Sequence, residues 1–358
     1  MKKSLIALAV LAASGAAMAQ SSVTLFGVVD AGYSVGKGTT NSTAMRTDRI
    51  GSSRLGFRGV EDLGGGMRAE FWLEAGVAND SGAGSATNSN NQAVTGLTSA
   101  GTQGLTFNRK STVGLVGSMG EIRLGRDYSP QFYPDATYDP FGTNGVASSL
   151  IAYGGGFPAV RASNMIAYHS PAMSGFKVML ASYMGENNTG AAAGKAGDGN
   201  GIWLNYAQGA WNLGYGASTT KTSTSTETKT AGIGGSYDMK VAKFMLESNV
   251  VQNTNQQDLR GALLGVTVPM GGGTFKVSSA MLEQDVAAGG VVGALGTSVA
   301  STKRIAVGYV MPLSKRTSLF GTYARNNNSG GAARGLNGAT VNPNVSSTGY
   351  DLGVNHTF

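Results

Sequence analysis

The sequence predicts an all-β fold, a 16-stranded antiparallel transmembrane β-barrel. Three observations carry that prediction. Alternating apolar and polar runs of roughly 8–14 residues recur from end to end, the period of a strand with two different faces. Short Gly-containing turns alternate with long polar loops, an asymmetry typical of outer-membrane barrels. Glycine is abundant, with 56 of 358 residues, and each would cost about 1 kcal/mol inside a helix, which excludes a helix bundle.

The elements follow in order. Residues 1–19 read as an export signal, with Lys2 and Lys3, an apolar run over 5–13, and Ala17-Met18-Ala19 as a small-x-small cleavage site. The run is too short for a spanning helix, which needs about 20 apolar residues. The barrel domain is then 20–358. Runs are expected at 22–35, 50–61 and 66–78, the last two joined by Glu61-Asp62-Leu63-Gly64-Gly65-Gly66. In the second, Leu55 and Phe57 oppose Arg54 and Arg58; in the third, Phe71 and Leu73 oppose Arg68, Glu70, Trp72 and Glu74. After a polar loop, 79–106, come 106–118 and 120–129 around Ser118-Met119-Gly120. After 129–162 come 163–171 and 175–186, where Phe176, Val178 and Leu180 oppose Lys177. The pairs 199–208 with 210–222, 228–238 with 241–254, 258–269 with 273–285, and 301–312 with 315–327 repeat the hairpin pattern. Loops 187–200, 286–300 and 328–346 separate them. The run 347–358 sets Tyr350, Leu352, Val354, His356 and Phe358 on one face against Asp351, Gly353, Asn355 and Thr357. An even number of strands puts both ends on the short-turn side. Charges on one face of strand after strand require water there, and a closed barrel supplies it in the lumen, with lipid outside.

Several motifs carry a resemblance. They are Ser22-Val23-Thr24-Leu25-Phe26-Gly27-Val28-Val29-Asp30, Ser53-Arg54-Leu55-Gly56-Phe57-Arg58-Gly59-Val60-Glu61-Asp62-Leu63, Tyr138-Asp139-Pro140-Phe141-Gly142 and the ending Gly353-Val354-Asn355-His356-Thr357-Phe358. Together they are similar to the general porins of Gram-negative outer membranes, of β-proteobacterial type. The resemblance implies a homotrimer with the first and last strands and loop 79–106 at the interface. It also implies a third loop folded into each lumen as a constriction. It places the chain among outer-membrane lipid and lipopolysaccharide, and makes Phe358 an assembly signal for the barrel assembly machinery; the alternative for Phe358 is an aromatic-girdle residue.

Loop 129–162 carries Tyr133, Tyr138, Phe141, Tyr153 and Phe157 with Pro130, Pro134, Pro140 and Pro158. Aromatics and prolines favour an ordered loop, either the constriction or an extracellular cap. Asp135 and Asp139 are the candidate acids of the constriction. Arg54, Arg58 and Arg126 are expected opposite them, with Lys110 and Lys177 behind. Arginine suits the role because it stays charged in a fixed planar geometry. The alternative is that these arginines pair with Glu70, Glu74 or Asp30. In strict alternation Arg126 shares a face with Ile122 and Leu124, so it needs a bulge or the strand end to reach the lumen. Gly56, Gly59 and Gly114 are expected where strands bend or approach the inner loop.

The expected function is passive diffusion of ions and small hydrophilic solutes, with a mild anion preference from the arginines and the positive net charge. Alternatives are a substrate-selective channel, a barrel adhesin, or an outer-membrane hydrolase. A hydrolase has only His169 as a plausible base, since His356 faces outward. The chain has no cysteine, so thiolate metal sites are excluded. No cofactor is expected. Dispersed basic residues without a helix to present them argue against nucleic acid.

Overall fold

The computed structural model describes residues 22–92, 104–149, 160–188, 190, 194–253, 258–286 and 298–358. The first strands are β1 (Ser22–Lys37), β2 (Ser42–Thr47), β3 (Arg54–Gly64), β4 (Met67–Ala78), a two-residue β5 (Ala83–Gly84), β6 (Lys110–Gly117) and β7 (Gly120–Tyr128). Next come β8 (Arg161–His169), β9 (Phe176–Tyr183), β10 (Gly199–Gln208), β11 (Trp211–Lys221), β12 (Glu227–Asp238) and β13 (Lys243–Asn253). The last are β14 (Leu259–Met270), β15 (Gly273–Val286), β16 (Ser298–Pro312), β17 (Thr317–Ser329) and β18 (Ser347–Thr357). Neighbours pair antiparallel, and β1 pairs with β18 on one side and β3 on the other, so the sheet closes. Both β2 and β3 lie against β1, as halves of one wall strand, and β5 only pairs with β4. Of 18 strands, 16 therefore build the wall.

The sixteen runs read from the sequence coincide with these wall strands to within a few residues. The second differs most. It begins at Arg54 rather than 50, and β2 has no counterpart among the runs. The cause is Asp30 on β1. Its carboxylate accepts the backbone N–H groups of Arg49 (2.5 Å), Ile50 (3.1 Å) and Gly51 (3.0 Å), which removes them from the ladder. The signal at 1–19 lies outside the described residues, as do Tyr153, Phe157 and Pro158.

The short turns need glycine. Gly64, Gly65 and Gly66 have φ of 79°, 63° and 80°, a region L-residues with a Cβ rarely enter.

The faces are inverted relative to a water-soluble protein. Ile233, Leu246, Ile305 and Leu352 are each more than half exposed on the outer wall, whereas Asp30, Glu247, Asn326 and Asp351 are fully buried inside. An apolar exterior of this kind is stable against hydrocarbon, and closure leaves the sheet without an open edge. Among the described residues no helix is long and apolar enough to cross a membrane.

The packed core lies within the lumen, between loop residues 129–149 and the wall. The loop opens with a 3-10 turn at Pro130–Phe132 and a helix, α1 (Tyr133–Tyr138). Tyr138 packs with Met165, Met179, Tyr183 and Trp203, and Phe141 and Val146 pack with Ala306, Ala324 and Leu336. Lumen-facing glycines make this approach possible. A Cβ on Gly265 would lie 2.6 Å from Pro140, and one on Gly308 would lie 2.8 Å from Phe141. Gly216 and Gly234 meet Pro130 and Tyr138 in the same way. Gly56, Gly59 and Gly114 serve otherwise: they leave room for Phe26, Phe71 and Glu121, side chains of the wall itself.

Candidate functional site

Register fixes which residues share the lumen. Thr24 pairs with Arg58, Arg58 with Trp72, and Trp72 with Thr112. Gly56 pairs with Glu74, and Glu74 with Lys110. Paired residues lie on one face, so Arg54, Arg58, Glu74 and Lys110 all face inward, opposite exposed Leu25, Val113 and Leu115.

The cluster is mixed in charge and tightly paired. Glu74 accepts from Arg109 Nε at 2.6 Å and lies 3.6 Å from Arg54 Nη1. Asp127 holds Lys110 at 2.8 Å and Arg123 at 2.6 Å, and Arg123 also binds Glu121 at 2.7 Å. Arg58 is different. Its guanidinium lies over the rings of Phe26 (5.5 Å) and Trp72 (5.3 Å), exposed to the lumen. Among the described residues no carboxylate comes within 4.0 Å of it. The aromatic faces hold the cation electrostatically without neutralising it. A niche of about 350 Å³ opens beside Arg58, Trp72, Lys110 and Arg123.

The other expected residues fall elsewhere. Lys177 faces inward but on β9, near the short-turn end and two wall strands beyond β7. Arg126 keeps the outward register of Ser111. The ladder with β8 does bulge here, but the extra residue is on β8, and β7 keeps its alternation, with Arg123 and Asp127 facing the lumen and Arg126 facing out. Arg126 instead donates to the carbonyls of Asn108 (2.5 Å) and Asn88 (3.0 Å) and to Ser163 Oγ (2.8 Å), tying loop 79–92 to the wall.

Asp135 and Asp139 do not face the arginines. Both are buried between the loop and the β13–β15 wall. Asp135 accepts from Asn249 Nδ2 at 2.7 Å. Asp139 accepts the backbone N–H groups of Phe141, Thr143 and Ser149, each at 2.8 Å, and so folds the loop around itself. Burial raises the pKa of both above the ordinary carboxylate value, and the Asp139 charge raises Asp135 further. Glu247 is third in this group, bonded to Ser149 Oγ at 3.0 Å.

One signal for the lumen cluster was present in the sequence. Glu121 and Arg123 alternate with Ile122 and Leu124, so Arg123 was readable as inward. The Phe26–Arg58–Trp72 contact was not, because it joins three strands. His169 Nε2 is buried without a hydrogen-bond partner and lies opposite Glu121. His356 faces outward and bonds Thr317 Oγ1 at 2.9 Å. Phe358 closes the seam, exchanging both backbone hydrogen bonds with Gly27 at 3.1 Å.

The described part of the loop runs along the wall from β9 to β16 and its far end reaches Asp48, Ser52 and Asp351, whereas the charged cluster lines β3 to β7. The lumen is therefore narrowed by the loop and carries its charged cluster on the β3–β7 wall. Such a passage sorts solutes by size and charge.

Comparison with known proteins places this geometry. The Gram-negative porin family matches residues 5–331. Outer membrane porin protein 32 of Delftia acidovorans is 35% identical over the full length of both chains. An outer membrane porin protein of Bordetella pertussis is 28% identical, covering 91% of this chain and 95% of its own. The solved anion-selective porin from Comamonas acidovorans superposes with a TM-score of 0.80 at 30% identity, covering 95% of this chain and 100% of its own. The inward-facing charge, the loop in the lumen and these full-length matches agree: the chain belongs to the Gram-negative porins and is a diffusion channel of the outer membrane.

Proposed function

We propose that the barrel prefers small hydrophilic anions over cations. The observation that carries this is Arg58, an exposed lumen cation clamped by two rings and lacking a carboxylate partner, while its basic neighbours are offset by Glu74, Asp127 and Glu121. Low-dielectric walls focus the field of such a charge on the passing ion. The similarity to an anion-selective porin supports the same reading. Arg54, Arg58 and Lys110 form the basic side of the constriction in this proposal, and loop 129–149 forms its opposite rim.

The exposed outer faces of β1 and β18, with Tyr33, Val29, Leu352 and Val354, form the contact between three barrels in the same proposal. Phe358, outward at the seam, is the assembly signal. Single-channel recording in a planar bilayer under a salt gradient tests the whole reading. The expected result is steps in threes with a reversal potential on the anion side. Clear cation selectivity would overturn the anion preference, and absence of steps would overturn the channel. Deleting Phe358 is expected to lower membrane yield; unchanged yield removes its assembly role.

A further inference from the structure

A second basic site stands apart from the β3–β7 cluster. Arg304 on β16 faces the lumen, since it pairs with Ala280 and Asn326, both buried. Gly308, where Phe141 of loop 129–149 meets the wall, lies about 13 Å further along the same strand. Arg304 therefore sits between that contact and the long-loop end. Arg334 reaches the same place from the loop that follows β17. The two arginines line a cavity of about 380 Å³ with Val146, Ser148, Leu336 and Asn337, and no carboxylate lines it.

Both arginines are held in place. Asn326, fully buried on β17, joins them: its Oδ1 accepts from Arg304 Nε at 2.8 Å, and its Nδ2 donates to the Arg334 carbonyl at 3.1 Å. Arg304 Nη1 donates to the Ser148 carbonyl, which fixes the plane of the guanidinium. Asn328 holds the Arg334 backbone through two more hydrogen bonds, at 3.2 and 3.3 Å. Further along the loop, the Leu336 amide donates to Ser347 Oγ at 3.0 Å, and Asn337 Nδ2 donates to Asp351 at 2.8 Å. Asn337 has φ of 48°, a left-handed conformation that persists only where the surroundings hold it. Among the described residues the Arg334 side chain bonds only the neutral Gln284 Oε1, at 3.2 Å. No carboxylate among them comes within 4.0 Å of it.

We propose that Arg304 and Arg334 bind a small divalent oxyanion, of the hydrogen phosphate class, on the long-loop side of the narrowing. Arg334 has donors left to meet two oxygens of such an anion in parallel. Arg304 supplies the second positive charge, and the fixed framework lowers the cost of ordering both side chains. A chloride ion offers no pair of oxygens, so it gains less from the planar fork. The site goes beyond a general anion preference and needs neither Arg58 nor Arg54.

The test records single channels of the whole protein in a planar bilayer, in chloride solution titrated with inorganic phosphate in its divalent form. Phosphate is expected to reduce chloride conductance along a saturating curve. Arg304→Gln and Arg334→Gln are each expected to raise the half-blocking concentration at least about tenfold, the loss of one charged hydrogen-bond partner. Lys303→Gln, beside Arg304 but on the outer face, is expected to leave it unchanged. Block that never saturates, arginine variants blocked like the native chain, or a Lys303→Gln channel that weakens as much would each overturn the site. If Arg304→Gln does not fold, Arg334→Gln in the loop carries the comparison. The reversal potential of the native channel without phosphate tests the anion preference separately.

Discussion

Replacing Arg58 with glutamine is the sharpest probe of the lumen. The substitution removes one positive charge and keeps a polar side chain between Phe26 and Trp72. An ion passing at about 6 Å through water feels that charge by about 0.7 kcal/mol. Salt near 0.1 M, with a Debye length of about 10 Å, lowers this to about 0.4 kcal/mol. Attraction of the anion and repulsion of the cation add, so the permeability ratio shifts by about 0.8 kcal/mol, roughly fourfold. Arg54→Gln is expected to do less, because Glu74 at 3.6 Å already offsets much of that charge at a distance. The assay is the reversal potential across a planar bilayer under a salt gradient, with single-channel conductance confirming a folded channel. An unchanged reversal potential in Arg58→Gln, or an equal shift from Arg54→Gln, would refute the idea that the unpartnered guanidinium sets selectivity.

Other outcomes follow from the same geometry. Gly234→Leu drives a side chain into Tyr138; overpacking of this kind costs about 1–3 kcal/mol. It should push the loop towards the channel axis, lowering both the thermal unfolding temperature and single-channel conductance. Arg126→Ala removes hydrogen bonds to Asn88, Asn108 and Ser163, so limited proteolysis should cut loop 79–92 faster while the reversal potential stays put. A shifted reversal potential would instead put Arg126 in the current path. Asp135 and Asp139 have folded-state pKa values raised above the ordinary 3.8. The folded form therefore holds protons that the unfolded chain releases, so loop docking is strongest below about pH 4 and weakens as pH rises through the raised values. Thermal unfolding should fall between pH 5 and pH 8 in the native chain, and Asp135→Asn should flatten that slope.

The wall was legible because strand formation against lipid is a local matter. Each outward residue meets the same solvent, so a period of two identifies the face without knowing the neighbours. That logic sets Arg54 and Arg58 on one face of β3, Glu70 and Glu74 on one face of β4, and Lys177 on the lumen face of β9. It also marks the glycine turns. The break before Arg54 escaped it, because Asp30, nineteen or more residues earlier, captures the amides of 49–51.

The lumen was decided by tertiary contacts. An acid in a loop has no period to declare its direction. Asp135 turns to the wall because Asn249 is there to donate, and Asp139 turns inward because three backbone amides converge on it. Arg126 goes to loop 79–92 because Asn88, Asn108 and Ser163 offer it acceptors on the outward side, while Asp127 faces in to Lys110 and Arg123. Whether a lumen arginine acts as a charge depends on what lies beside it across the sheet. Sequence alone set which residues face water, since that needs only the strand's own alternation. The folded barrel set which of those charges remain uncompensated, since that needs partners from strands and loops far apart in the chain.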